Sequence, residues 1–318
     1  MRFRRRAVRP LVVDPCMGDA TAKQLRDALV GRDWPAARVI LDRAAHPDDR
    51  AFYLRVCASV PGVQDWIEDY VITEPDSTLP LLVRGCHAVG WAWEARGSLD
   101  VEDTRPEQFA TFHDRLRIAE RCLNDVVIRD PDEVAAWAFL IRTARGMRLS
   151  IDDGRFRYEQ AVRRHPTNLV AHYELMQTLC AKWGGSDDEM HRFARAAADR
   201  APAGNLLPYL VAIAHLEIMV DLPAADRTGY IAANNVRGDL RAAAQRSIWH
   251  PDAELRPGWQ EPGNAFAMAF DISGDQASAA QAFDLIGDVV TAQPWLYLGG
   301  DTARHFAAAR QRATGTTF

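Results

Sequence analysis

Three prolines recur in this chain at nearly constant spacing: 35 residues separate Pro131 from Pro166, and 36 separate Pro166 from Pro202. A fixed period of this size marks an array of repeated supersecondary units, each too small to bury its own apolar face. Proline lacks the backbone donor a helix needs and its ring clashes with the preceding turn. Each of the three is therefore expected to close a helix and aim the chain into the next one.

Other positions fall into phase with them. Tyr158-x-x-Ala161-x-x-x-x-Pro166 places a large residue, a small residue and the proline on one helix, and Ala197-x-x-x-x-Pro202 repeats its end. After Pro131, Trp137 and Leu140 occupy two large positions of a first helix. The small residue lets the second helix of a hairpin approach the first closely. On these residues the chain resembles tetratricopeptide-like hairpins, whose unit is about 34 residues long. The resemblance implies an all-α fold, a tetratricopeptide-like α-solenoid of stacked antiparallel helical hairpins. The pattern departs from the consensus at Ile141, where a small residue is usual, and weaker echoes end at Pro47, Pro75 and Pro294.

Helical periodicity extends well beyond the repeat. Tyr209, Ile213, Leu216 and Val220 line one stripe of a helix, while only the short run Leu11, Val12 and Val13 reads as extended. Proline, glycine and aspartate punctuation divides the chain into about fourteen or fifteen helices. The expected organisation is a basic tail over 1–17, helical hairpins over 18–97, a repeat core over 106–220, and a helical region over 221–318 that continues or caps the array. The least regular stretches are 97–105, 251–263 and 298–302.

A second pattern is more local: Lys182-Trp183-Gly184-Gly185-Ser186, followed by Glu189-Met190 and Phe193-Ala194-Arg195. Gly184 or Gly185 can take the left-handed conformation that ends a helix, and Ser186-x-x-Glu189 is a capping box for the next. Asp187 and Asp188 suit the positive end of that helix. The segment resembles the signature of an uncharacterised, actinobacterial-type family of bacterial helical proteins. That resemblance implies a tetratricopeptide-type fold and no assigned activity.

A net charge of −5 gives the chain no general affinity for nucleic acid or anionic lipid, and nucleic acid is not the expected partner. The exception is a basic start, Arg2, Arg4, Arg5, Arg6 and Arg9, which no apolar stretch of signal-peptide length follows. The most apolar stretch, 206–220, is interrupted by Pro208, His215 and Glu217 and is shorter than the roughly 20 residues of a bilayer span. Five cysteines, Cys16, Cys57, Cys86, Cys122 and Cys180, form no Cys-x-x-Cys pair and suit reduced core thiols in a cytoplasmic protein.

No motif carries chemistry. The acidic pairs Asp152-Asp153 and Asp187-Asp188, the type of ligand that holds magnesium in an all-helical cyclase, are better read as first-turn acids. The nine histidines show no spacing that places several on one helix face, and His172 and His215 lie within amphipathic patterns. A nucleophile elbow, a Walker loop and a dinucleotide fingerprint are all missing, and Gly299-Gly300-Asp301-Thr302 reads as a helix cap. No catalytic, cofactor-binding or metal-ligating residue is assigned from the sequence.

An aromatic-lined face is how helical solenoids recognise peptides. Trp91 and Trp93 point to different sides of one helix, and Trp183 sits on the glycine turn. With Arg84, Arg142, Arg145 and Arg148 supplying charge, these residues are the expected contacts for a protein or peptide partner. The functional expectation is a non-catalytic scaffold without cofactor. The alternative is an enzyme or small-molecule binder with a pocket between the repeat core and the C-terminal helices, near Trp249, His250 and Trp259.

Overall fold

The computed structural model describes residues 11–97 and 105–315. The basic arginines at the start of the chain and most of the 97–105 stretch lie outside the described residues. The described residues contain sixteen α-helices, joined by short turns and single 3-10 turns. None of these helices is long and apolar enough to cross a membrane. The chain divides into two compact units, and the division falls inside one helix, after Ala197.

Among the described residues the first unit comprises 19–97, 105–197 and 256–258. Its helices are α1 (Ala20–Val30), α2 (Trp34–Arg43), α3 (Pro47–Ser59), α4 (Ile67–Thr73), α5 (Leu79–Arg96), α6 (Pro106–Arg129), α7 (Val134–Gly146), α8 (Ile151–Arg164), α9 (Leu169–Thr178) and most of α10 (Asp187–Arg200). Pro131, Pro166 and Pro202 each lie two residues past a helix end, at Arg129, Arg164 and Arg200, and Pro75 stands in the same relation to Thr73. Pro47 differs. It opens α3, where the missing donor costs nothing because first-turn N–H groups have no intrahelical acceptor.

The residues in phase with the prolines serve the packing between these helices. Ala161 is fully buried, and Tyr158 donates to or accepts from His172 Nε2 at 2.9 Å while its ring meets Phe193 edge-on. Trp137 donates its indole N–H to the carbonyl of Pro131 at 2.9 Å, tying α7 to the turn before it. Helix α7 packs on α6, α8 and α9, as each hairpin must to bury its apolar stripe. Helix α3 packs on α5, α7 and α9. Arg50 on α3 reaches Glu133, the N-cap of α7, at 2.7 Å.

Among the described residues the second unit comprises 11–18, 198–255 and 259–315. Its helices are α11 (Tyr209–Asp221), α12 (Ala224–Ile231), α13 (Asn234–Arg246), α14 (Gln260–Ser273), α15 (Gln276–Ile286) and α16 (Thr302–Thr314). Here α14 is the centre: Ala265 through Phe270 are all fully buried, and α11, α12, α13, α15 and α16 surround it. A helix that is apolar on every side belongs in such a position. Trp295 donates to Asn264 Oδ1 at 2.8 Å and packs with Phe283 and Phe306. The extended run near the N-terminus forms a single parallel bridge between Val13 and Val290. Pro294 lies well past the end of α15 and does not terminate it.

Candidate functional site

The turn after α9 sets the geometry of the site. Gly184 takes φ of +97°, the left-handed cap that an L side chain resists. Gly185 is needed for a different reason: a Cβ there would stand 2.0 Å from the carbonyl oxygen of Leu179. Ser186 Oγ then accepts from the Glu189 backbone at 3.2 Å and starts α10. The result is a rigid bend that holds Trp183 against Trp93 of α5, ring centroids 5.8 Å apart and nearly perpendicular.

Arginines gather on this aromatic pair. The guanidinium of Arg142 lies 5.2 Å from the Trp93 ring, Arg96 lies 5.6 Å from Trp93 and 5.8 Å from Trp183, and Arg145 stands at the same two distances. Cations over indole faces are favoured by the ring quadrupole, the more so when desolvated. Trp93 in turn packs on Phe112 at 5.2 Å, within a cluster of Ala92, Phe112 and Leu116 that anchors it.

Arg145 is buried and is held by Glu174 of α9: Nη1 donates to its carbonyl at 2.8 Å and Nη2 to its carboxylate at 2.6 Å. Burial pushes the Arg142 guanidinium below its ordinary value, with Glu174 opposing and Arg145 adding to the shift. Three buried donors here, Trp93 Nε1, Arg142 Nε and Arg145 Nε, have no acceptor. Buried donors without partners are costly and are uncommon in folded proteins.

Beside this cluster lies an open cavity of about 400 Å³, lined by Arg96, Arg145, Arg148, Leu149, Ile151, Thr178, Lys182, Trp183 and Gly184. Four of the nine lining residues are cationic and none is acidic, with Arg145 already paired to Glu174. The Thr178 hydroxyl is committed to the Glu174 carbonyl at 2.8 Å. Chemically, this lining suits recognition of an anion.

Of the residues expected from the sequence, Trp93, Arg142, Arg145 and Trp183 come together here, and Arg145, Arg148 and Trp183 line the cavity. Arg84 and Trp91 do not. Arg84 pairs with Glu68 at 3.0 Å, and Trp91 lies under Arg115, whose guanidinium is 3.7 Å from its ring. Arg96 and Lys182 were not among the expected contacts. Lys182 belongs to the glycine-turn signature and could have been found there.

The remaining sequence candidates take structural places. Asp153 accepts from Ser150 at the start of α8 in a capping box, and Asp301 caps α16. His172 is buried between Tyr158 and the Asn168 carbonyl, and His215 contacts the Tyr230 hydroxyl at 2.8 Å. Trp249 stacks on Phe270 at 5.3 Å, and the His250 ring accepts from the Asp252 backbone at 3.1 Å. Trp259 immediately precedes α14 as its N-cap. All five cysteines are buried free thiols. Comparison with protein-family models, with curated proteins and with solved structures gave no match.

Proposed function

We propose that this chain is a non-catalytic helical-repeat scaffold of tetratricopeptide type that binds an acidic peptide segment of a protein partner. The proline register, the hairpin order of α5 to α10 and the fully buried Ala161 support the repeat reading. One observation carries the binding reading: Arg96, Arg145, Arg148 and Lys182 converge with the Trp183 indole on one cavity, next to the cluster of Trp93 and Arg142. A cavity of about 400 Å³ accepts one or two side chains, so it takes the carboxylate anchor of a peptide that continues along the surface. Five buried thiols without disulfides suit a cytoplasmic setting.

The test is fluorescence anisotropy with a labelled Asp/Glu-rich peptide and a Lys-rich control. Arg148 and Lys182 are exposed, so Arg148→Glu with Lys182→Glu changes the cavity charge at solvent-facing side chains. We expect saturable binding of the acidic peptide alone, weakening with added salt and at least about tenfold weaker in the double variant. Equal binding by the wild type and the double variant, or no binding of acidic peptides, overturns the proposal.

A further inference from the structure

Away from the cavity, within the same unit, two imidazoles and a carboxylate meet where α3 begins and α8 ends. His46 is the N-cap of α3, Asp48 lies in its first turn, and His165 follows the last residue of α8. One ring nitrogen from each histidine and one oxygen of Asp48 all lie within 4.8 Å of one another. We propose that His46, Asp48 and His165 form a binding site for a single divalent first-row transition ion such as zinc.

The spacing is favourable. His165 Nε2 and Asp48 Oδ2 are 3.1 Å apart, about the separation of two adjacent ligand atoms that each stand roughly 2.1 Å from one ion. His46 is the third donor: a nitrogen of its ring lies within 4.8 Å of both other ligand atoms, and the ring meets that of His165 edge-on at 5.2 Å. Bound there, the ion replaces the proton that now bridges His165 and Asp48.

The carboxylate is also oriented from behind. Asp48 Oδ1 accepts from the Leu169 backbone at 3.0 Å and from Asn168 Nδ2 at 2.9 Å, which leaves Oδ2 directed at the histidine. Outer hydrogen bonds of this kind fix a ligating oxygen in metal centres. The backbone N–H of Asp48 donates to His46 Nδ1 at 3.2 Å, which fixes that ring as well.

Donor chemistry selects the ion. Two imidazoles with one carboxylate suit zinc and its neighbours, whereas calcium and magnesium favour all-oxygen sets. Asp48 and His165 each keep 18% of their side-chain surface exposed, so an ion can enter and water can complete its coordination. Neighbouring His172 is not a fourth ligand, because its two nitrogens contact the Asn168 carbonyl and the Tyr158 hydroxyl.

Equilibrium dialysis of the chelator-stripped full chain against zinc tests this, with cobalt absorption as a second readout. His46→Asn keeps a cap acceptor for the Asp48 N–H, and His165→Gln keeps a donor to Asp48, so each removes a ligand with little change to the fold. Circular dichroism checks both, and either folded variant is sufficient to decide. We expect one zinc equivalent in the wild type to weaken at least tenfold in each variant, with loss of its cobalt spectrum, and to persist in His305→Ala. Zinc binding that is absent in the wild type, unchanged in a folded variant, or equally lost in His305→Ala overturns the proposal.

Discussion

Arg145 and Glu174 form a buried ion pair in which one edge of the guanidinium is satisfied twice, by carbonyl and carboxylate of the same residue, while Nε has no acceptor. Both side chains are only 7% exposed. This pair ties α7 to α9 and at the same time holds an arginine against Trp93 and Trp183. Removing only its carboxylate leaves a desolvated cation, so Glu174→Ala should cost about 3 kcal/mol, whereas Arg145→Met with Glu174→Leu should cost much less. Urea denaturation of the single and double variants measures the difference.

Acid should weaken the fold through His172. Burial holds its pKa down at about 4, against an ordinary 6.5, with the Asn168 carbonyl partly opposing. Folding therefore favours the neutral ring. Its contribution is complete above about pH 6.5, and up to about 3 kcal/mol is lost as pH falls towards 4, because the unfolded chain takes up the proton first. Stability measured between those limits should fall less steeply in His172→Gln.

The two glycines of the turn should respond unequally to alanine. Gly184→Ala places a side chain in left-handed backbone and should cost about 1 to 2 kcal/mol. Gly185→Ala drives a Cβ into the Leu179 carbonyl, so the bend itself must shift and the loss should be larger. Thermal melts of both variants rank them. Weaker binding of the acidic peptide by Gly185→Ala should accompany the change, because the bend positions Trp183.

The thiols should be silent in the folded protein. Burial pushes Cys57 up to about 12 and raises Cys86 and Cys122 as well, so little nucleophilic thiolate forms at neutral pH. A disulfide reagent should react slowly with the native chain and titrate five thiols in denaturant. Rapid native labelling would show that the core around α3 and α5 opens.

Much of the helical frame was legible because its signals are local. Pro131, Pro166 and Pro202 stand two residues past helix ends, and Ser150 and Ser186 cap the helices that follow them. Each effect needs only a few neighbouring residues and the sterics of one turn. The same locality misled at Pro47, since proline is accepted in the first turn of a helix as well as beyond its last, and spacing does not distinguish the two.

By itself, then, the sequence determined the helix ends just before Pro131, Pro166 and Pro202, and that Trp91 and Trp93 leave α5 in different directions. Only the tertiary structure decided which of them meets arginines from α7 and the glycine turn. Trp93 and Trp183 are 90 residues apart, and His165 is 117 residues from Asp48. Such pairings depend on how helices cross and on which side chains fill the gaps between them, and helical periodicity names a buried face without naming what covers it.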